Sequence, residues 1–279
     1  MMKRILICTD MDRTLLPNGA QPESPNARKR FAKLVSRPDV TLAYVTGRHR
    51  ELVEAAIDEF DVPVPDYVLG DVGTSIYSLD DDGWHALSSW HRDIAPDWAG
   101  LSRDAIASLF QDIAVLELQE PEKQNQFKLS YYAPHDTDTP PLLEEMRARL
   151  DDSGIKASLI WSIDETADLG LLDVIPLRAT KRHAVEFLMQ QEGFTLQQTL
   201  FAGDSGNDLP VLVSPIRSVL VANATEAVRR QALDLAARHN ALDALYLARG
   251  GFMDMNGNYS AGILEGLAHY MPETVSWFE

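Results

Sequence analysis

The chain has 279 residues, of which 45% are hydrophobic and 24% charged, a composition typical of a globular protein with one large or two medium domains. Its net charge of −17 would repel nucleic acid phosphates and anionic membranes, so neither is an expected partner. No stretch reaches the roughly 18 apolar residues of a membrane helix, and the apolar run near the N-terminus is too short for a signal peptide. A single cysteine, Cys8, excludes an internal disulfide, so we expect a cytoplasmic protein.

Short apolar strands alternate with amphipathic helices in the first part of the chain. Strands are predicted at 3–9, 40–45 and 66–69, helices at 25–36 and 51–60, and a hairpin at 73–79 with its turn at 80–83. The composition changes near residue 83, where a segment with four of the five tryptophans begins. Helices at 102–111 and 142–150 and strands at 127–132 and 156–161 indicate an inserted α+β domain there.

The first pattern resumes after this segment. Strands are predicted at 171–175, 199–202 and 218–221, and helices at 181–191 and 224–238. Strands that alternate with helices indicate an α/β fold with a doubly wound parallel sheet. We predict a core of residues 1–82 and 173–279 and an inserted domain of residues 83–172.

Polar motifs follow three of the predicted strands at their carboxyl ends. Asp10 and Asp12 follow the first strand, Thr46 follows the second, and Asp204 and Asp208 follow the strand at 199–202. Ligands of doubly wound sheets bind beyond these ends, so the side chains should meet in one crevice. Four carboxylates this close need a counter-charge, and Mg²⁺ prefers oxygen ligands. The expected metal ligands are Asp10, Asp12, Asp204 and Asp208.

This set of side chains suits phosphoryl transfer to a carboxylate. Asp10 would attack phosphorus and form an aspartyl-phosphate. Asp12 would protonate the leaving oxygen and then activate water. Lys181 and Thr46 would stabilise charge on the phosphoryl oxygens, and Asn207 would hydrogen-bond around the site. A solvated helix start is the alternative interpretation of Lys181.

The four motifs together resemble those of the haloacid dehalogenase (HAD) superfamily of phosphatases. They are Asp-x-Asp-x-Thr at 10–14, Thr-Gly-Arg at 46–48, the isolated Lys181, and Gly-Asp-x-Gly-Asn-Asp at 203–208. The inserted segment resembles the α/β cap of the sugar-phosphatase branch. The resemblance implies a HAD-like core whose cap determines substrate specificity.

Longer segments are similar to the sucrose-phosphate phosphatases of bacteria and plants. These segments are 42–48, 71–77, 128–131 and 261–265, whereas the loop at 254–258 and the turn at 80–83 match no feature of that family. The similarity implies a phosphoric monoester hydrolase that converts sucrose 6-phosphate to sucrose and phosphate, with a sugar-phosphate synthase as a pathway partner. We expect a monomer. The substrate contacts that motifs and similarity together imply are Thr46, Gly47, Arg48, Thr74, Gln124, Asn125, Lys128, Lys181 and Asn207.

Other functions fit the same residues. Mannosylfructose-phosphate phosphatase, which acts on another disaccharide phosphate, is the nearest enzymatic alternative, followed by broader sugar phosphatases and trehalose-phosphate phosphatase. A phosphosugar mutase also uses paired aspartates, and a non-catalytic binder of sugar phosphates would not need both Asp10 and Asp12. A dehalogenase is disfavoured, since a halide leaves without the acid that Asp12 provides. An ordinary polar turn before a strand is the alternative for Gln124 and Asn125.

Overall fold

The computed structural model describes residues 4–164 and 167–279. Lys3, the first residue of the strand predicted at 3–9, lies outside these ranges. The chain forms two compact units: a core, made of the residues up to Ala86 together with Lys181–Glu279, and an inserted domain, Leu87–Thr180. Within the described ranges, no helix has both the length and the apolar character needed to cross a bilayer.

The core and the inserted domain both contain strands and helices, numbered here in chain order. The strands are β1 Ile5–Thr9, β2 Val40–Val45, β3 Tyr67–Gly70, β4 Ser75–Asp80, β5 Gly83–Ala86, β6 Glu117–Leu118, β7 Leu129–Pro134, β8 Ala157–Asp164, β9 Leu169–Pro176, β10 Thr199–Gly203, β11 Arg217–Leu220 and β12 Leu245–Leu247. The α-helices are α1 Ala27–Val35, α2 Arg50–Phe60, α3 Ser88–Ile94, α4 Arg103–Ser108, α5 Thr139–Asp152, α6 Lys181–Glu192, α7 Leu209–Leu212, α8 Glu226–Arg238 and α9 Ser260–Tyr270.

The core is built on an eight-stranded sheet in the order β12-β11-β10-β1-β2-β3-β4-β5. The strands from β12 to β3 pair in parallel, and β4 and β5 extend the sheet as an antiparallel hairpin. Every residue of β1 is buried, as expected for a central parallel strand covered on both faces. The predicted α/β fold class is therefore confirmed.

Three neighbouring strands, β10, β1 and β2, position the polar motifs. Thr9 of β1 pairs with Ala202 of β10 and with Tyr44 of β2, so the three strands end at similar heights. The Asp10 N–H donates to the Ala202 carbonyl at 2.9 Å, which extends the pairing to the first motif residue. Because the strands are parallel, the residues that follow them converge at one edge of the sheet.

The inserted domain contains a four-stranded antiparallel sheet in the order β6-β7-β9-β8. Leu172 of β9 lies opposite both Tyr131 of β7 and Trp161 of β8, so these three side chains share one face. Tyr131 meets Phe110 edge to face, with 6.3 Å between the ring centroids. These aromatic side chains therefore belong to the packing of the domain itself.

The strand predicted at 171–175 belongs to a different sheet from the one expected. It is part of β9, which lies between β7 and β8 and is antiparallel to both. Its run of apolar residues matches a buried core strand, and only its pairing partners distinguish the two cases. The domain boundaries move accordingly to after Ala86 and after Thr180, because β5 pairs with β4 in the core and β9 stays in the inserted domain.

Gly170 of β9 tests this packing, because a Cβ atom there would lie 2.1 Å from Cη2 of Trp161. We expect Gly170→Ala to displace the indole and to lower the free energy of unfolding by about 1–3 kcal/mol. The same substitution in a Trp161→Leu background, where the indole is absent, should cost clearly less. Urea denaturation followed by circular dichroism gives both values, and equal costs in the two backgrounds would contradict the packing described.

Candidate active site

Three buried carboxylates meet at the carboxyl edge of the core sheet. Asp10 follows β1, and Asp204 and Asp208 belong to the turn after β10. Each offers an oxygen, and these oxygens all lie within 4.8 Å of one another. Oδ2 of Asp208 accepts hydrogen bonds from the N–H groups of Asp204 (3.0 Å) and Ser205 (3.1 Å), so the turn folds back on itself. The sequence prediction that these three residues converge is thus met.

Lys181, the first residue of α6, contacts two of the three carboxylates. Its Nζ lies 2.7 Å from Oδ1 of Asp10, 2.7 Å from Oδ1 of Asp208 and 3.3 Å from Oδ1 of Asn207. Burial alone would lower the pKa of Lys181, but the charges of Asp10 and Asp208 outweigh it and raise the pKa. Lys181 is therefore an ammonium group at neutral pH rather than a solvated helix start.

The acidic group carries more negative charge than Lys181 can balance. Burial raises the pKa of Asp204 to about 6, and the charge of Asp208 adds to this effect. Burial also raises the pKa of Asp10, with Lys181 opposing the shift and Asp208 adding to it. A further cation would favour the ionised forms, and three carboxylate oxygens are ligands that suit a hard divalent ion such as Mg²⁺. The residues present therefore fit a metal site.

Asp12 lies apart from this group, which differs from the prediction that it is a metal ligand. Nε and Nη2 of Arg48 donate to its two carboxylate oxygens at 2.8 and 2.7 Å, and Nδ2 of Asn18 donates at 2.8 Å. Burial alone would raise the pKa of Asp12, but these hydrogen bonds outweigh it and lower the pKa. The bidentate pairing with Arg48 fixes the orientation of this carboxylate.

Two buried threonines, Thr14 and Thr46, lie in the segments that follow β1 and β2. The Thr14 hydroxyl lies 3.3 Å from Oδ1 of Asp204 and 3.5 Å from Oδ2 of Asp10. Thr46 is buried at the end of β2, next to β1, and its Oγ1 accepts from the N–H of Arg48 at 3.2 Å. A contact by Thr46 is predicted from the sequence, whereas Thr14, the last residue of the Asp-x-Asp-x-Thr motif, is not among the predicted contacts.

The other substrate contacts that were predicted in the core unit differ in solvent exposure. Gly47 and Asn207 are exposed, and Oδ1 of Asn207 also accepts from the Ser205 hydroxyl at 2.8 Å. Thr74 is buried, and its hydroxyl donates to the Asp71 carbonyl at 2.8 Å. Gly47 and Asn207 are thus open to a ligand, whereas the Thr74 hydroxyl serves its own turn.

The predicted contacts from the inserted domain lie in the turn before β7. The Gln124 amide donates to the carbonyls of Gln119 (3.1 Å) and Ser130 (2.8 Å) and accepts from the Ser130 N–H (2.8 Å). Oδ1 of Asn125 accepts from the Phe127 N–H at 2.8 Å, and Lys128 is buried. Gln124 therefore holds the turn together, and substrate contact by these residues stays a prediction.

Arg13 was missed by the sequence analysis, as were the two asparagines that bind its backbone. Asn18 accepts from the Arg13 N–H at 2.8 Å, and Asn223 donates to the Arg13 carbonyl at 2.6 Å. Nε of Arg13 lies 3.5 Å from Oδ2 of Asp204. The motif treats position 13 as variable, and Asn223 is far away along the chain, so no local pattern pointed to this arrangement.

The arrangement of these motifs has a counterpart in known proteins. The model of the sucrose-6F-phosphate phosphohydrolase family matches residues 3–271. The chain belongs to this family. A putative HAD-like hydrolase of Nitrosococcus oceani is 55% identical over 280 residues, which covers 100% of this chain and 75% of that protein. The predicted superfamily and the predicted class, phosphoric monoester hydrolase, are confirmed.

Two named phosphatases are more distant relatives in sequence. The mannosylfructose-phosphate phosphatase of Agrobacterium fabrum is 28% identical and aligns with 95% of this chain and 96% of its own length. Sucrose-phosphatase 1 of Nicotiana tabacum is 30% identical over 80% of this chain, which spans 51% of the tobacco protein. These relatives identify this member of the family as a sugar phosphatase of the HAD superfamily.

The fold is also shared with solved structures. The sucrose-phosphatase of Synechocystis sp. PCC6803, solved in complex with sucrose and phosphate, superimposes with a TM-score of 0.69 at 25% identity. The match covers 96% of this chain and 98% of that one. A haloacid dehalogenase-like hydrolase of Bacillus subtilis, 16% identical with a TM-score of 0.66, shares the fold.

Two glycines of the turn after β10 provide a matched pair for testing the acidic group. A Cβ atom at Gly203 would lie 2.6 Å from Cβ and Cγ of Asp208, whereas one at Gly206 would meet nothing within 4 Å. We expect Gly203→Ala to displace Asp208 and to reduce phosphatase activity at least about tenfold, while Gly206→Ala stays near wild type. Phosphate release measures both, and equal activities would contradict a role for the Asp208 position.

Proposed function

We propose that the chain is a Mg²⁺-dependent phosphatase that hydrolyses sucrose 6-phosphate to sucrose and phosphate through an aspartyl-phosphate on Asp10. The observation that carries the proposal is the buried acidic group, in which Asp10 contacts the Lys181 ammonium at 2.7 Å and lies beside Asp204 and Asp208. The family to which the chain belongs and its sucrose-phosphatase relatives support the substrate.

Asp10 is the nucleophile in this mechanism. One of its oxygens is held by Lys181, so the other is the one available to attack phosphorus as the bond to the sugar oxygen breaks. Lys181 and Thr46 would bind the phosphoryl oxygens, on which negative charge is spread in the transition state. Mg²⁺, held by Asp10, Asp204 and Asp208, would add positive charge beside the same oxygens.

Asp12 is the acid and base of the two steps. In its protonated form it gives a proton to the departing sugar oxygen, and as a carboxylate it then takes a proton from the water that hydrolyses the aspartyl-phosphate. The pairing with Arg48 favours the carboxylate, which is the form needed in the second step. Arg48 is thus proposed to orient Asp12, in addition to the sugar contact that the sequence analysis assigned to it.

The disaccharide specificity is proposed to come from the inserted domain, with Gln124, Asn125 and Lys128 as candidate contacts. Mannosylfructose phosphate is the second candidate substrate, because the phosphatase named for it aligns with nearly the whole of this chain. A monomeric state, a cytoplasmic location and a sugar-phosphate synthase that supplies the substrate stay predictions from the sequence.

A substrate panel tests the proposal. Phosphate release from sucrose 6-phosphate, mannosylfructose phosphate and glucose 6-phosphate would be measured with Mg²⁺ and with a chelator. We expect kcat/KM to be highest for sucrose 6-phosphate, activity to disappear with the chelator, and Asp10→Asn to lower turnover on the order of 10⁴-fold. Faster turnover of mannosylfructose phosphate would select the second candidate, and isomerised sugar phosphate without phosphate release would indicate a mutase.

Substitution of Arg48 separates its two proposed roles. If Arg48 mainly orients Asp12, Arg48→Met should lower kcat about tenfold or more and change KM little, because the acid and base is misplaced. Arg48→Lys keeps the charge but cannot bind both carboxylate oxygens of Asp12. Its kcat should therefore lie between that of the wild type and that of Arg48→Met. Steady-state kinetics on the best substrate measure this, and a raised KM with unchanged kcat would favour the sugar contact instead.

A further inference from the structure

Arg13 has a backbone conformation that is unfavourable for its residue type. Its φ of 59° lies in the left-handed region, where glycine is favoured and residues with a Cβ atom cost free energy. A conformation of this kind persists when the surrounding structure fixes it, and at such positions the side chain often has a function. A glycine would adopt this φ angle without strain. An arginine at this position therefore points to a role for its side chain.

Hydrogen bonds fix the Arg13 backbone on both sides. Oδ1 of Asn18 accepts from its N–H at 2.8 Å, and Nδ2 of Asn223 donates to its carbonyl at 2.6 Å. Asn223 is fixed in turn, because its Oδ1 accepts from the N–H of Tyr259 at 2.9 Å and Tyr259 is fully buried. This clamp sets the direction in which the Arg13 side chain leaves the backbone, and that direction leads to Asp204.

The guanidinium acts on Asp204 by charge rather than by a hydrogen bond. Nε of Arg13 is 3.5 Å from Oδ2 of Asp204, and within the described ranges this buried Nε has no hydrogen-bond partner. The Thr14 hydroxyl, at 3.3 Å, is the group that binds the other carboxylate oxygen. Lys181 contacts Asp10 and Asp208, so Arg13 is the cation placed at the third carboxylate.

We infer that Arg13 sets the metal affinity of the acidic group by offsetting the charge of Asp204, so that a divalent cation binds more weakly than the three carboxylates alone would allow. This inference rests on the proposed magnesium site. A neighbour that hydrogen-bonds a ligating carboxylate orients it and strengthens metal binding. Arg13 makes no such bond, so repulsion between its charge and the cation dominates.

Charge-removing variants of Arg13 test the inference. Arg13→Gln removes the charge and keeps a polar side chain. Arg13→Gly removes the charge and also relieves the backbone strain, so this variant should fold even if Arg13→Gln does not. Arg13→Lys keeps the charge and serves as the matched control. Isothermal titration with MgCl₂ in the absence of substrate should show Mg²⁺ binding tightened on the order of tenfold by Gln and Gly, with Lys close to wild type.

The outcomes separate this inference from the proposed function. Unchanged or weaker Mg²⁺ binding in the Gln and Gly variants would overturn the role of Arg13 while leaving the magnesium site intact. Equal tightening by Lys would also overturn it, because the charge would then not be the cause. A wild-type protein that binds no Mg²⁺ at millimolar concentration would overturn both the proposed metal site and the inference that rests on it.

Discussion

The buried charge of Asp10, Asp204 and Asp208 is the constraint on which the rest of the site depends. Buried carboxylates are costly unless opposite charges and hydrogen bonds compensate them. Here Lys181 from α6 bonds Asp10 and Asp208, and the turn after β10 gives two backbone N–H groups to Asp208. The remaining excess of negative charge fits a bound cation, which would stabilise the folded state.

The two carboxylates of the Asp-x-Asp motif illustrate how the environment shifts the pKa of the same side chain in opposite directions. Burial raises the pKa of Asp10, and hydrogen bonds from Arg48 and Asn18 lower that of Asp12. Asp12 is half-buried and paired with Arg48, whereas Asp10 lies in the buried acidic group. The shift of Asp12 favours its carboxylate form, whereas Asp10, whose pKa is raised, would need the charge of a bound cation in addition to that of Lys181 to be ionised.

Sequence patterns predicted the convergence of Asp10, Asp204 and Asp208 because parallel strands bring their carboxyl ends to a common edge. Asp10, Thr46 and Asp204 could be placed together from strand positions alone. Patterns did not distinguish β9 from a core strand, because its identity depends on its partners rather than on its own residues. They missed α9, most of whose residues are buried on all sides, so that it lacks the polar face by which helices are usually recognised. Gln124 looked available for a ligand because its internal hydrogen bonds could not be read from the sequence.

The C-terminal segment lies outside the four HAD motifs but is linked to the site by hydrogen bonds. The buried Glu265 carboxylate of α9 accepts from the Tyr246 hydroxyl at 2.9 Å and from the N–H groups of Arg249 at 3.0 Å and Gly250 at 2.9 Å. It thereby fixes the start of the loop that ends at Tyr259, whose N–H binds Asn223. Asn223 also binds the Arg13 carbonyl, so these contacts join the loop at 254–258 to the turn that follows Asp10. The conformation of that turn therefore depends on residues from both ends of the core.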